Sequence, residues 1–187
     1  MVDFYDQKKI VLVTFGVILL ISAIFIPAAV FYPAKVISIT PNAEVVGTSG
    51  LSLILGGGGI VLLAIALFIP AMMEQPLKAW LLSGIVAIIG FGAIAFSLGD
   101  YYYITRDGFT YNPPLAFESS TYTWDEFERV EEKVGSASGT NSIESVTYHF
   151  RDGEQVEFSS GRIFEMHGSV TNRVEAAGGE FNRIQEQ

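Results

Sequence analysis

Three long apolar segments without a charged side chain constrain this chain more than any other feature of its sequence. Residues 10–32, 51–73 and 79–98 are 23, 23 and 20 residues long and contain no Asp, Glu, Lys, Arg or His. A helix of about 20 apolar residues crosses the hydrocarbon core of a bilayer, where its backbone amides must pair within the segment. The sequence therefore predicts three transmembrane helices. Buried helices of a soluble domain are disfavoured, because so small a chain cannot cover helices that are apolar all round.

The distribution of charge divides the chain at Gly99. Residues 1–99 hold four acidic and four basic side chains, whereas residues 100–187 hold sixteen acidic and seven basic ones. The whole formal net charge of -9 therefore lies in the second part. We predict a three-helix transmembrane domain over residues 1–99 and a soluble acidic domain over residues 100–187.

Part of the transmembrane half is predicted to be a repeat. Residues 16–35 match residues 59–78 without gaps at ten of twenty positions. The matched pairs include Gly16/Gly59, Ala23/Ala66, Pro27/Pro70 and Lys35/Lys78. Each proline removes one helical hydrogen bond and frees the carbonyl four residues earlier, at Ala23 and at Ala66, so both helices are expected to kink. Because successive spans run antiparallel, the two copies would be inverted, as in many transporters.

The spans themselves offer little chemistry for transport. Carriers hold a substrate or ion with ionisable or strongly polar groups near the midplane, whereas these spans contain only hydroxyl side chains, which are expected to bond back to their own helix. The hydroxyl residues are Thr14, Ser22, Ser52, Ser83 and Ser97. The glycines predict close helix packing rather than a pore; they are Gly56–Gly59, Gly84, Gly90 and Gly92. A small transporter or channel subunit built on the inverted repeat is the alternative function.

The lysines predict an orientation in the cell membrane. Lys35 and Lys78 follow spans one and two at matching distances, so they lie on opposite sides of the membrane. Their contributions to the difference in positive charge between the two sides therefore cancel. Lys8 and Lys9 precede the first span, and only Arg106 follows the third closely. Because an excess of positive charge stays in the cytoplasm, the N-terminus is expected to be cytoplasmic and the C-terminal domain to lie outside.

Two Asp-Gly turns predict hairpins in the acidic domain. Arg106-Asp107-Gly108 and the turn at Asp152-Gly153 each separate two runs with apolar alternation. Such turns need positive φ, which Gly and Asp tolerate, and they are the strongest short-range signal for a hairpin. Further strands are predicted on either side of a tight turn at Trp124.

The end of the chain is predicted to form a helix that covers the sheet. Apolar residues recur at spacings of three and four, a pattern typical of an amphipathic helix; they are Ile163, Met166, Val170, Val174 and Ala177. Gly178 and Gly179 are expected to end it. Residues 135–142 are rich in Gly and Ser and are predicted to be flexible.

These strands and the capping helix, in residues 100–187, resemble the bacterial pleckstrin-homology-like (PH-like) domain of small membrane proteins. The residues that carry the resemblance are Tyr103-Ile104-Thr105, Asp107-Gly108-Phe109, Tyr111, Tyr122-Thr123-Trp124, Glu126-Phe127, Val130, Tyr148, Phe150 and Asp152-Gly153. The expected fold class is α+β, with three transmembrane α-helices followed by a β-rich PH-like domain and a C-terminal capping helix. Relatives of this kind usually keep the domain in the cytoplasm, opposite to the side that the lysines predict.

The resemblance implies a protein-binding scaffold or assembly module that is held at the bilayer. Phosphoinositide binding needs clustered Lys and Arg in the first hairpin loop, but this loop offers Arg106 beside Asp107. An acidic module also repels anionic lipid and nucleic acid. We therefore expect a protein partner, with a basic one fitting the charge, and we predict that Trp124, His149 and Arg151 form the partner-binding surface.

No catalytic, metal or cofactor site is predicted, and we expect no enzymatic activity. The absence of cysteine excludes thiolate ligands and a cysteine nucleophile. His149 and His167 show no metal-ligand spacing and are interpreted as surface residues. The acidic residues Glu126, Glu128, Glu131 and Glu132 are interpreted as solvating an exposed edge or loosely holding a cation. Regulation of an enzyme through the membrane helices is a third hypothesis.

Overall fold

The structure, a computed structural model, describes residues 4–39, 42–116, 118–137 and 140–185. They form two compact units. The first contains the described residues of 1–39, 49–101 and 113–117, and the second contains those of 40–48, 102–112 and 118–187. The predicted α+β class, with three helices apolar enough to span a membrane ahead of the β-sheets, is confirmed.

Three long helices make up the first unit. Their apolar stretches cover Gln7–Ser38, Gly50–Met72 and Pro76–Gly99, and each is long enough to cross a membrane. The first span continues to Ser38, six residues beyond its predicted end, because α1 and α2 are joined through a π-helical turn without a break. The elements are α1 (Phe4–Ile26), the π-helical turn (Pro27–Phe31), α2 (Tyr32–Ser38), α3 (Gly50–Met72) and α4 (Pro76–Gly99).

The two copies of the sequence repeat adopt different backbone structures. In the first copy Pro27 opens the π-helical turn, and the helix then continues through Pro33. In the second copy Pro70 lies two residues before the end of α3, and Pro76 begins the separate helix α4. The same spacing of prolines therefore produces one continuous span in the first copy and a break between two spans in the second.

Glycine packing occurs at particular positions of α3 and α4. A Cβ atom on Gly59 would lie 2.7 Å from the carbonyl oxygen of Gly90, and a Cβ atom on Gly90 would lie 2.9 Å from that of Gly59. The two helices therefore approach too closely for any larger residue at this crossing. Gly58 and Gly92 face open space within 4 Å and take no part in the contact.

The second unit contains two four-stranded sheets. The strand order is β1-β2-β3-β4 in the first sheet and β7-β6-β5-β8 in the second. β8 runs parallel to β5, and the antiparallel pairs include β5 with β6 and β6 with β7. The elements are β1 (Val45–Gly47), β2 (Tyr101–Ile104), β3 (Gly108–Asn112), β4 (Ser120–Thr123), β5 (Phe127–Ala137), β6 (Thr140–Phe150), β7 (Gln155–Phe158), α5 (Arg162–Glu165), α6 (His167–Ala176) and β8 (Glu180–Gln185).

The predicted hairpins are present, but their two glycines serve different purposes. Gly153 has φ 90°, as its turn requires. Gly108 does not have positive φ, so the expectation was wrong there. A Cβ atom on Gly108 would lie 2.1 Å from the carbonyl oxygen of Tyr122, so glycine is required by the close approach of β4.

Two strands that the sequence did not predict complete the sheets. β1 comes from the segment between α2 and α3 and pairs with β2. β8 follows the predicted capping helix, so that helix is not the last element. In the segment 135–142, predicted to be flexible, residues 135–137 instead extend β5 and residues 140–142 start β6, because cross-strand pairing stabilises extended backbone regardless of its Gly and Ser content. Residues 138 and 139 of that segment lie outside the described residues.

Aromatic rings fill the core of the second unit. Phe109 is 1% exposed, and its ring centroid lies 6.2 to 6.4 Å from those of five other rings. Those rings belong to Tyr111, Phe127, Tyr148, Phe150 and Phe158. The predicted apolar face is confirmed, since Ile163, Val170 and Val174 are buried in the same core. The single predicted helix is instead two helices, α5 and α6, because the backbone of Met166 departs from helical geometry between them.

Candidate functional site

Trp124 lies on a 3-10 turn (Trp124–Glu126) between β4 and β5. A capping box closes the turn: the Thr123 side chain accepts a hydrogen bond from the backbone N–H of Glu126, and the Glu126 carboxylate accepts one from the backbone N–H of Thr123 at 2.7 Å. The Thr123 hydroxyl also donates to the Glu126 carboxylate at 2.9 Å. A hydrogen bond with Thr123 holds the pKa of the exposed Asp125 carboxyl below its ordinary value. The turn is therefore closed by side-chain hydrogen bonds and carries two carboxyl groups beside the indole.

The indole of Trp124 connects three parts of the second unit. Its ring stacks on Phe127 at a centroid distance of 5.5 Å, and the guanidinium of Arg173 lies 5.4 Å from its centroid. Its Nε1–H donates to the carbonyl oxygen of Arg106 at 2.7 Å. Trp124 thus fixes the β2–β3 turn next to α6, and it packs against the margin of the core.

An ion pair joins α6 to the segment that precedes β1. Arg173 donates to Glu44 Oε2 at 2.6 Å and to the carbonyl oxygen of Thr105 at 3.0 Å. The other carboxylate oxygen of Glu44 faces Arg106 Nε at 3.8 Å, beyond hydrogen-bond distance. The side chain of Arg106 is 91% exposed. Arg173 therefore binds Glu44 and Thr105, whereas Arg106 presents its donors to solvent.

Two clefts meet at the pair formed by Glu44 and Arg106. The polar cleft has a volume of about 550 Å³ and is lined by residues 42–44 and 105–107. The second cleft, of about 500 Å³, is lined by Glu44, Arg106, Trp124, Arg173, Ala176 and Ala177. We call these two clefts together the Trp124 groove. It offers an exposed guanidinium, carboxylates and an aromatic wall, which are groups that recognise side chains of another protein.

The other two residues of the predicted partner surface occupy different places. Arg151 is exposed in the β6–β7 turn, and its backbone N–H donates to the carbonyl oxygen of Glu126 at 2.9 Å, next to the Trp124 turn. His149 alternates along β6 with the core residues Tyr148 and Phe150, so it lies on the outer face of the second sheet. There its Nε2 lies 3.8 Å from Glu131. The structure brings Arg151 close to Trp124 but does not bring His149 to the same face.

The interpretation of Glu132 as a solvated residue was wrong. Glu132 is 3% exposed and lies on the core side of β5. Because β5 pairs with β8, Arg183 lies opposite Glu132 and binds its carboxylate. Its ion-pair partners lie 35 and 51 positions away in the sequence, so no local pattern could reveal them.

Three serine hydroxyls of the first unit bond between helices rather than within them. Ser83 of α4 donates to the carbonyl oxygen of Ala66 in α3 at 2.6 Å. That carbonyl is the one freed by Pro70, so the hydroxyl replaces the missing amide. The expectation of bonding within one helix holds for Thr14, which donates to Ile10. It was wrong for Ser52, Ser83 and Ser97, whose hydroxyls donate to carbonyl oxygens of the facing helix.

Lys35 is buried at the end of the first unit where α2 ends and α3 begins. It is 4% exposed, and its ammonium donates to Ser52 Oγ at 2.7 Å and to the carbonyl oxygen of Asp100 at 2.6 Å. Ser52 and Ser97 exchange hydrogen bonds with each other's carbonyl oxygens at 2.7 and 2.8 Å. The hydroxyl of Ser49 donates to the Asp100 carboxylate. Lys78, its counterpart in the repeat, is exposed, so the two lysines are not equivalent.

No cluster of three or more potential metal ligands occurs within the described parts of the chain. Searches against protein-family models, curated proteins and solved structures find no match for this chain. The function is therefore inferred from the contacts of the described residues alone. Glu44 and Arg173 were not predicted as site residues, because 129 positions separate them and only the fold brings them together.

Proposed function

We propose that this chain is a multi-pass membrane protein whose second unit is a PH-like protein-binding module that acts as a scaffold or assembly factor. The Trp124 groove is the proposed docking site. The observation that carries the proposal is the exposed Arg106 side chain on a backbone that Trp124 and Arg173 immobilise. Preorganised aromatic and arginine side chains are the residues that dominate protein interfaces.

A charge reversal at Arg106 tests the groove as a docking site. Arg106→Glu should remove a stoichiometric partner that copurifies with the wild-type chain from its native membranes, because the Arg106 donors are proposed to bind acceptor oxygens of the partner even where the partner is basic overall. Arg162→Glu is the matched control, because it makes the same charge change at another exposed arginine of the second unit. Both variants should keep the wild-type melting temperature. Equal retention of the partner by both variants, or no stoichiometric partner for the wild type, would exclude the proposed site.

We also propose that the N-terminus is cytoplasmic and the second unit lies outside the cell membrane. Lys8 and Lys9 before the first span support this orientation. The chain has no cysteine, so Ser160→Cys and Glu74→Cys are single labelling sites at exposed positions. In intact cells a membrane-impermeant maleimide should label the first variant and spare the second until lysis. The reverse result would place the second unit in the cytoplasm.

A small transporter or channel subunit remains the second candidate, and buried ionisable groups support it. Lys35 and Asp100 are 4% and 1% exposed within the first unit, and ionisable residues of membrane spans often mark ion pathways. Purified protein in liposomes should then carry an ion current that Lys35→Met abolishes. Liposomes without any current, or an equal current with Lys35→Met, would exclude this candidate.

A further inference from the structure

The carboxylate of Glu132 is the most deeply buried acidic group in the described part of the second unit. Its residue is 3% exposed, and its two oxygens meet two different cations or potential cations. Oε2 accepts hydrogen bonds from Arg183 Nε at 3.1 Å and from an Arg183 terminal nitrogen at 2.8 Å. Oε1 faces the Nε2 atom of His167 at 3.4 Å. A buried carboxylate needs such compensation on both oxygens to remain ionised.

The tautomer of His167 follows from its other ring nitrogen. Nδ1 lies 2.6 Å from the carbonyl oxygen of Phe164, which can only accept a hydrogen bond, so Nδ1 must carry a proton. In a neutral imidazole Nε2 would then be a bare acceptor that faces another acceptor, Glu132 Oε1. That arrangement is repulsive, and one additional proton on Nε2 makes it attractive. The geometry therefore requires a proton between His167 and Glu132.

We propose that His167 and Glu132 form a proton-binding site that couples the packing of α6 and β8 on β5 to pH. This inference is independent of the docking function of the Trp124 groove. The charged and titratable groups that face the site are Glu132 on β5, Arg183 on β8 and the hydroxyl of Tyr148 on β6. Because Arg183 already binds Oε2, the carboxylate stays ionised and the proton resides on the imidazole.

The direction of the pH effect follows from the protonated form of His167, which is the form that pairs with Glu132. At acidic pH the imidazolium bridges Glu132 to the backbone of Phe164, and the N-terminal end of α6 is held against β5. At alkaline pH, where Nε2 has lost its proton, the ion pair with Glu132 is lost. Arg183 then holds the carboxylate alone, so β8 should open more often at alkaline than at acidic pH.

Hydrogen exchange in the full-length protein tests this site. The backbone amides of residues 180–185 are followed in detergent micelles between about pH 5.5 and about pH 8.5, with correction for the intrinsic exchange rate. Their protection should fall about fivefold across this range in the wild type. His167→Gln should remove the step. His149→Gln is the matched control, because His149 is the only other histidine and also faces a glutamate, and it should keep the step.

A direct measurement on the wild type covers the case in which His167→Gln does not fold. Nitrogen-15 spectra of the two histidines should show both ring nitrogens of His167 protonated at pH 5.5 and loss of the Nε2 proton alone at pH 8.5. A neutral His167 ring at pH 5.5 would contradict the inference. Persistence of the exchange step in folded His167→Gln, or its loss in His149→Gln, would contradict it as well.

Discussion

The two units of this protein bury different kinds of groups. The described core of the first unit contains glycine backbone and hydroxyl side chains, whereas its large apolar side chains, such as Ile24 and Ile88, are mostly exposed. The second unit buries aromatic rings, with Phe109 at their centre. In lipid, moving an apolar side chain from the surface to the interior gains little, so helices associate through close backbone approach and hydrogen bonds. In water, the burial of rings is the main driving force.

Both units also bury one long charged side chain, and they supply its polar partners in different ways. Lys35 donates to a hydroxyl and to a carbonyl at the end of α4. Glu132 is bound by Arg183 and faces His167. The first solution uses the carbonyls that every helix leaves unpaired at its C-terminus, whereas the second requires charged partners from two other elements.

The largest expected effect separates the two kinds of core. Phe109→Ala should destabilise the second unit by about 3 to 5 kcal/mol, because it removes the ring that contacts five others. Thermal unfolding can be followed by Trp124 fluorescence in a Trp80→Phe background. Phe91→Ala is the control: Phe91 is 63% exposed on α4 and should leave the melting temperature unchanged in lipid. A large drop in melting temperature for Phe91→Ala would contradict the view that ring burial stabilises the second unit but not the first.

Glycine substitution should affect the first unit next most strongly. Gly59→Ala places a Cβ atom 2.7 Å from the Gly90 carbonyl oxygen, and the resulting separation of α3 and α4 should cost about 1 to 3 kcal/mol. Gly58→Ala adds the same methyl group to the neighbouring position, where it meets open space, and should be neutral or slightly stabilising. Unfolding in mixed detergent micelles measures both. Equal stabilities would show that the close approach at Gly59 is unimportant.

A smaller effect is expected from the hydroxyl that replaces a missing amide. Ser83→Ala leaves the carbonyl oxygen of Ala66 unpaired and should cost about 0.6 to 1.7 kcal/mol. Thr14→Val, which removes a bond within one helix, should cost less. Pro70→Ala restores a backbone donor, so the loss from Ser83→Ala should shrink in that background. An unchanged loss there would mean that the freed carbonyl is not the reason for the bond.

The smallest effect concerns a hydroxyl in the aromatic core. Burial, together with Tyr102 and Glu132, raises the pKa of Tyr148 above its ordinary range, and its hydroxyl has no hydrogen-bond partner among the described residues. Tyr148→Phe should therefore stabilise the second unit by about 1 kcal/mol at neutral pH.

The pH dependence of Tyr148 has a definite sign. A phenol with a raised pKa in the folded state favours folding fully below its ordinary value of about 10 and loses that contribution as the pH rises further. Wild-type protein should consequently lose more stability than Tyr148→Phe between about pH 9 and about pH 11.5. Melting temperatures across this range measure the difference, and parallel curves would contradict the assignment.

Local patterns in the sequence were sufficient for many elements of the fold. Asp-Gly turns located both hairpins, and the spacing from Ile163 to Val174 identified the apolar face of the final helices. Local patterns could not reveal β8, whose pairing with β5 joins residues about 50 positions apart. Nor could they reveal β1, which lies between two membrane spans in the sequence and pairs with a strand after the third.

The candidate sites show the same difference between residues that neighbouring sequence identifies and residues whose partners lie far away in the chain. Trp124 was predicted to belong to a partner-binding surface, and in the structure it lines a groove with Arg106. Glu44 and Arg173 were missed, and Glu132 was misinterpreted. Each of these charged side chains has a partner on a distant element, and a charged residue in isolation predicts solvent exposure.

The sequence by itself determined the three helices long and apolar enough to cross a membrane, the acidic β-rich part and the hairpin turns. Hydrophobic length, charge and turn chemistry act over short stretches of chain, so they can be read locally. Only the tertiary structure decided which serines bridge helices, that Lys35 and Glu132 are buried, and that His167 faces a carboxylate. These outcomes depend on distances between groups far apart in the chain, and burial with a partner changes the preferred state of a polar side chain.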